Sequence, residues 1–355
     1  MTSWSSPNDV EVAQGSDPSL ALAAGDALEA EGRLLEAVDA LGTANRLRRD
    51  PEIERRLVRL RHEAFAGLDR DQSPGPWPPL VRDEFPDSSG PPVVSPDALT
   101  LAALRSGILQ HGCLLIRGLV PQPRVDRLVE GIDRALEACD RHAAGAPSSE
   151  TTPWFEPLAP GPGYSVGVKR KWVRDSGGVL TGDSPRVLYD LIETLEDVGL
   201  GPLIRAHLDE RPVLSMNKCT LRRVPVDASN GTDWHQDGAF LGAGIRTVNV
   251  WLSLSHCGRD APGLDIVPRR LDGIVETGTD GAIFPWAVAP AMVERVSADT
   301  PVCRPIFEPG DALLFDDVFL HRTAGDPEMT RERYAIETWF FAPSTYPGKQ
   351  IPLVF

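Results

Sequence analysis

Two histidines and one aspartate carry the clearest chemistry in this chain. His235 and Asp237 stand one residue apart in WHQDG (234–238), and His321 follows much later in LFDDVFLHRTAGDP (314–327). Two imidazoles and a carboxylate on one face of a metal leave the opposite face open. That suits a non-haem iron(II) that activates oxygen. Arg333 lies beyond the second histidine, at the head of the apolar run RYAIETWFFA. A guanidinium there suits an anionic organic co-substrate beside the metal, because its planar fork meets a carboxylate bidentately. Arg331 is a rival. Arg333 is preferred because it abuts the strand and shares parity with Ala335 and Glu337.

These residues must be held by short strands. From position 211 onward the chain alternates apolar runs with turn signals: VLSMNKCTLRRV, DWHQDGAF, RTVNVWLSLS, LDIVP, VCRPIF, ALLFDD and YAIETWFFA. Many short strands at this spacing predict a sandwich or barrel such as a jelly roll. RTVNVWLSLS sets Val248, Val250, Leu252 and Leu254 on one face and Thr247, Asn249, Trp251 and Ser253 on the other. If DWHQDGAF is a strand, His235 and Asp237 project together and Gln236 points away. Helices are expected at about 97–110, 122–140, 185–198 and 201–209, with a buried strand at 112–120. The fold class is therefore mainly β with flanking helices (α+β).

The first 17 residues are polar and aperiodic, and read as disordered. Residues 18–69 read as a helical hairpin followed by a third amphipathic helix, with one copy and a half of a tetratricopeptide-like pattern. Such repeats need about three copies to bury a core, so the segment is expected to pack on the catalytic domain or across a dimer, where it offers a surface for a homo-oligomer. Residues 70–95 are proline-rich, a linker or surface strap, and 96–355 are expected to form the jelly-roll domain that carries these residues. Net charge is −15 and the pI about 4.9, which argues against nucleic acid as a partner. No apolar run is long enough for a membrane span, and the acidic N-terminal stretch MTSWSSPNDVEVAQG, lacking an apolar h-region, does not read as a signal peptide. Five cysteines without a C-x-x-C pair read as reduced thiols, pointing to a cytoplasmic location.

Five stretches resemble the iron(II)/2-oxoglutarate oxygenases, and within them the phytanoyl-CoA dioxygenase-like branch. They are HQD (235–237), VNVWLSLSH (248–256), APGLDIVP (261–268), PGDALLFDDVFLHRT (309–323) and RYAI (333–336). The resemblance runs from about 97 to 343. It implies a double-stranded β-helix, a jelly roll, with iron(II) on His235, Asp237 and His321 and with 2-oxoglutarate and O2 as co-substrates. It further implies Arg333 on the distal carboxylate of 2-oxoglutarate, Thr323 as an added hydroxyl donor and Trp251 lining that pocket. Where relatives carry P-G-S-H after the LDIVP strand, this chain has Pro268-Arg269-Arg270-Leu271, so the substrate does not carry over.

The expected reaction is hydroxylation of an unactivated C–H bond of a small metabolite, with 2-oxoglutarate decarboxylated to succinate; desaturation, ring formation and epimerisation stay open, and the basic run KRKWVRD hints at an anionic substrate such as an acyl-CoA, a carrier-bound acid or a phosphorylated or nucleotide-linked sugar. A cupin-like metal enzyme without 2-oxoglutarate and a non-catalytic jelly-roll binding protein are the alternatives. The basic run KRKWVRD (169–175), inside the long Gly- and Pro-rich stretch 143–183, reads either as a solvated charge run or as part of a lid over an anionic substrate. His62, His111, His142, His207 and His256 have no ligand partner at useful spacing.

Overall fold

The computed structural model describes residues 17–70, 75–167, 169–226, 233–279, 281–282 and 284–355. The expectation of disorder over 1–17 falls, apart from Asp17, outside the described residues. Eleven helices are described: α1 (Pro18–Ala30), α2 (Leu34–Leu47), α3 (Pro51–Glu63), α4 (Leu101–His111), α5 (Gln122–Ala143), α6 (Ser148–Thr151), α7 (Arg170–Asp175), α8 (Pro185–Asp197), α9 (Leu200–Leu208), α10 (Gly238–Leu241) and α11 (Pro290–Val296). The strands are β1 (Val93–Val94), β2 (Cys113–Ile116), β3 (Gly178–Leu180), β4 (Val213–Ser215), β5 (Thr220–Val224), β6 (Thr247–Ser253), β7 (Gly263–Ile266), β8 (Ala312–Phe315), β9 (His321–Ala324), β10 (Arg333–Phe341) and β11 (Pro352–Val354). None of the described helices is long and apolar enough to cross a membrane.

The large sheet runs β1-β2-β8-β6-β10-β4-β11, with β5 also on β10 and β3 on β5. β10 is its axis: Ala335–Phe341 pair antiparallel with β6, while the other edge holds β5 and then β4. The small sheet is β7 against β9, extended by bridges of His235 to His321 and Ile266 to Cys303. The two sheets make a double-stranded β-helix. Its interior holds Leu115, Trp251, Ile266, Phe307, Leu313, Phe315, Phe319, Trp339 and Phe341. Each such side chain contributes roughly 1.5–3 kcal/mol by leaving water.

All seven residues of β6 are buried, although its sequence alternates. Val248, Val250, Leu252 and Leu254 pack outward against Leu104, Ile108, Leu128, Ile132 and Leu188, the apolar stripes of α4, α5 and α8. Trp251 packs inward. A helical layer thus covers one face of the sheet and the barrel lumen the other. α5 repeats Val125, Leu128, Ile132 and Leu136 at helical spacing on its buried side. α4 is capped by the Thr100 hydroxyl, which accepts from Ala103 N, and stops at Gly112 with φ +85°. A side chain at Gly112 would meet the Arg269 carbonyl at 2.5 Å, so glycine both ends the helix and admits the Pro268–Leu271 turn.

The N-terminal helices do not stand apart. Leu57 and Leu60 of α3 share a buried cluster with Tyr189 of α8. The fully buried Glu54 accepts from Arg186 Nε at 2.6 Å, and Arg49 bridges Glu54 to Asp190. Arg61 donates to Val354 O and His62 to Pro352 O, tying α3 to β11. The described part of the proline-rich stretch is a strap: Trp77 meets His207 edge-on at 5.3 Å, and Asp83 accepts from His111. All five cysteines are free thiols.

The stretch 143–183 is more ordered than its composition suggests, since it contains α6, α7 and β3. Its basic run spends its charges locally. Arg170 pairs with the buried Asp183 at 2.6 Å, Lys171 with Asp175 and Arg174 with Asp140. The cluster that suggested an anionic substrate is thus a set of ion pairs around α7.

Because α3 buries its apolar face on α8 and β11, the N-terminal helices and the barrel should unfold together. Leu60→Ala, at a fully buried position, should cost about 2–5 kcal/mol and shift one urea transition. A separate early transition for α1–α3, leaving the barrel signal unmoved, would contradict this packing.

Candidate metal and co-substrate site

The small sheet builds the site. His235 N donates to His321 O at 3.0 Å, and His321 N donates to His235 O at 3.1 Å. This closed pair sets the two imidazoles side by side, centroids 4.4 Å apart. Asp237 follows, with its carboxylate 3.6 Å from His321 Nε2. One ligand atom from each of the three lies within 4.8 Å of the others, and all three residues are buried.

The route to this convergence differs from the strand parity expected for DWHQDGAF. Only His235 is in a bridge. Asp237 sits at φ −61°, ψ −29°, and the chain turns into α10 directly after it. The turn is pinned by Gln236, whose side chain is fully buried. Its amide donates to Gly273 O and Val318 O, and its oxygen accepts from Val275 N. Gln236 does point away from the metal position, and its three bonds aim its neighbours.

The protonation pattern fits a metal. His235 Nδ1 donates to Asp233 O at 2.7 Å, and His321 Nδ1 donates to Phe319 O at 3.1 Å. With Nδ1 committed in both rings, each Nε2 keeps a lone pair for a cation. Burial, reinforced by the neighbouring His321, pushes the His235 imidazolium down to about 4, so the ring is neutral at pH 7.

Arg333 begins β10, and its alternation places it on the same face as Ala335, Trp339 and Phe341, the lumen face. It is 3% exposed, has no ion pair among the described residues, and its Nε lacks a hydrogen-bond partner. Its one hydrogen bond, from Nη1 to Gly263 O, is long at 3.3 Å, and its guanidinium lies 5.9 Å from the Trp251 ring centre. The buried Glu337, on the same face of β10, offsets part of its charge without forming an ion pair, and a buried guanidinium held this loosely gains from an arriving anion. The lumen therefore fits the carboxylate of 2-oxoglutarate. Arg331 is exposed, and its backbone is bound to Asp260 O. Thr323 sits two residues after His321 on β9, opposite Leu264, so it shares the face of His321. Trp251 is 2% exposed and packs on Phe307 at 4.8 Å.

Several functional groups carried no clear sequence signal. Lys218 brings its ammonium to 3.9 Å from Asp237 and 3.6 Å over the Phe240 ring. Glu337, on the lumen face of β10, accepts from Thr220 and lies 3.5 Å from Arg222. Trp286 meets His235 edge-on at 5.5 Å. A lysine inside the apolar run VLSMNKCTLRRV was a usable clue to Lys218; Trp286 lies outside any periodic run. The other histidines lie away from the triad: His62 bonds Pro352 O and Gly161 N, His111 meets Asp83, His142 lies tilted against Phe155, His207 packs on Trp77, and His256 pairs with Glu308.

The chain matches the phytanoyl-CoA dioxygenase (PhyH) family over residues 108–326, more than half its length. No curated protein matches it. Among solved structures it is similar to EctD from S. alaskensis with 2-oxoglutarate and 5-hydroxyectoine, at 13% identity over 78% of this chain and 87% of that one, TM-score 0.48. It is also similar to the non-heme alpha ketoglutarate dependent carbocyclase SnoK from nogalamycin biosynthesis, at 13% identity, 71% and 87% coverage and TM-score 0.47. AviO1 from Streptomyces viridochromogenes Tue57 gives 20% identity, 71% and 100% coverage and TM-score 0.45. The family match makes this chain a member of the phytanoyl-CoA dioxygenase family, an iron(II)/2-oxoglutarate-dependent oxygenase.

Proposed function

We propose that His235, Asp237 and His321 hold the iron(II), that Arg333 anchors the distal carboxylate of 2-oxoglutarate beside Thr323 and Trp251, and that the chain hydroxylates an unactivated C–H bond of a small molecule. The observation that carries this is the convergence of the three ligand atoms within 4.8 Å, with Nδ1 of both imidazoles already committed. When bound, iron(II) supplies the oxygen-activating centre at which 2-oxoglutarate is decarboxylated to succinate.

The protein's own part is to orient, neutralise and shield. His235 and His321 present neutral nitrogens in fixed tautomers. Asp237 fills the carboxylate position, which supports hydroxylation over halogenation, because related halogenases leave that position open for halide. Arg333 draws one end of a dicarboxylate into the lumen by a charge that no ion pair among the described residues engages. Phe315 and Phe319 pack their rings against His321, at 4.8 and 5.8 Å, and keep water off its flank.

Asp237→Ala should abolish succinate formation while circular dichroism stays unchanged, because its carboxylate makes no core packing. Full activity in that variant would remove Asp237 from the set. Gln236→Ala should lower cobalt(II) affinity by roughly 10–100-fold in calorimetry, the range for groups that orient ligands; wild-type affinity would make Gln236 a bystander. Loss of a buried charge-assisted contact costs about 2–5 kcal/mol. Arg333→Ala should therefore raise the KM for 2-oxoglutarate at least about 30-fold, and Arg331→Ala should change it little. The reverse pattern would transfer the role to Arg331.

A further inference from the structure

The triad opens onto aromatic side chains that this chemistry does not use. Trp286 meets His235 edge-on, and Phe240 lies nearly parallel to the same imidazole at 6.2 Å and 26°. Phe240 and Trp286 stand almost perpendicular to each other, at 5.8 Å and 83°. Together they form a corner with His235 at its floor. Phe284 lengthens one wall, stacked on Trp286 at 4.9 Å and 5°. Ile274 reaches the same rim, where its tip would lie 2.6 Å from a side chain at Gly238.

These groups come from three segments of the chain, yet they gather at one place. Of the ten large apolar side chains left exposed among the described residues, Phe240, Ile274 and Phe284 are three. Single exposed apolar residues need no explanation, but a cluster bordering a reactive centre marks a binding surface. Its shape is that of a platform, since the stacked pair offers a flat face and Phe240 a second plane at right angles.

The charge at this rim disfavours an anion. Its basic group is Lys218, already engaged with Asp237 and the Phe240 face. The basic run on α7 is consumed by Asp183, Asp175 and Asp140. A CoA thioester or a phosphorylated sugar would bring several negative charges to a rim without a cluster of uncommitted cations.

We propose that the substrate carries an uncharged ring with an apolar face, aromatic or glycosidic, and that this face lies against Trp286 and Phe284 while its reacting carbon faces the triad. The inference rests on the reading of His235, Asp237 and His321 as the reaction centre.

The test uses the full chain loaded with zinc(II) and 2-oxoglutarate, which blocks turnover. Three probes are titrated by ligand-observed NMR: 2-naphthol, methyl β-D-glucopyranoside and octanoyl-CoA. At least one ring probe should bind, and which one does so separates an aromatic from a glycosidic ring. Its affinity should fall about tenfold or more in Trp286→Ala and in Phe284→Ala, the size of one stacking contact. Trp286→Phe should restore most of it, which a fold defect would not. Octanoyl-CoA should bind more weakly and without dependence on either ring. Equal affinity of the ring probe for wild type and Trp286→Ala overturns the proposal, as does failure of both ring probes to bind at millimolar concentration. Calorimetry of 2-oxoglutarate on the same zinc(II)-loaded proteins keeps the two readings apart. Normal 2-oxoglutarate binding with an insensitive ring probe sinks the ring alone. No 2-oxoglutarate binding in wild type sinks the assignment of the site.

Discussion

The site depends on two backbone hydrogen bonds, exchanged between His235 and His321. They join a segment that is barely a strand to β9, across a wide gap in sequence. Without them the segment that carries His235 loses its backbone tie to β9. With them, both imidazoles share one side of the small sheet, and the turn after His235 needs only one residue to deliver Asp237. The remaining constraints are local. Gln236 fixes the turn through three buried bonds, and carbonyls at Asp233 and Phe319 fix the tautomers. A metal site built this way is organised by backbone geometry first and by side-chain chemistry second.

The lumen below this pair tolerates charges that a core would not. Arg333, Arg222, Glu337 and Lys218 all border it, and Arg333 has no ionic partner among the described residues. An isolated buried charge is destabilising, so the helical layer must provide compensating stability elsewhere. It does so through the continuous apolar cluster between the large sheet and α4, α5, α8 and α9, and through α3, which seals β11 and α8. The N-terminal helices therefore belong to the energetics of the barrel, although they supply none of the proposed ligands.

Where sequence periodicity was strong, the fold was legible. The helices α4, α5, α8 and α9 lie where the apolar stripes put them, and β6 and β10 where alternation put them. The close approach of His235, Asp237 and His321 and the burial of Arg333 agree with what residue type and position relative to apolar runs suggested; their roles belong to the proposal. The detail of DWHQDGAF was not, because two alternating ligands look like a strand whether or not the backbone is extended; buried hydrogen bonds to Gln236 decided otherwise. The KRKWVRD run was ambiguous for another reason. Its partners Asp140 and Asp183 lie outside the run, and sequence does not reveal which charges meet. Lys218 and Trp286 were missed because one hides in an apolar stretch and the other in an aperiodic one.

This contrast separates the conserved chemistry of the fold from its selectivity. The floor of the site is made by strands and by one bridge, whose register admits little variation, since a slip of one residue would turn every ligand away. The walls are made by α10, the 271–275 turn and the 284–286 segment, none of which is locked into either sheet. Such segments change length and side chains at low cost to the barrel. The Pro268–Leu271 turn belongs with them, and its Arg270 reaches down to the buried Asp316. Membership of the family speaks for the kind of chemistry, iron(II)- and 2-oxoglutarate-dependent oxygenation, whereas Phe240, Trp286 and Phe284 beside His235 stand on segments that the barrel supports but does not dictate.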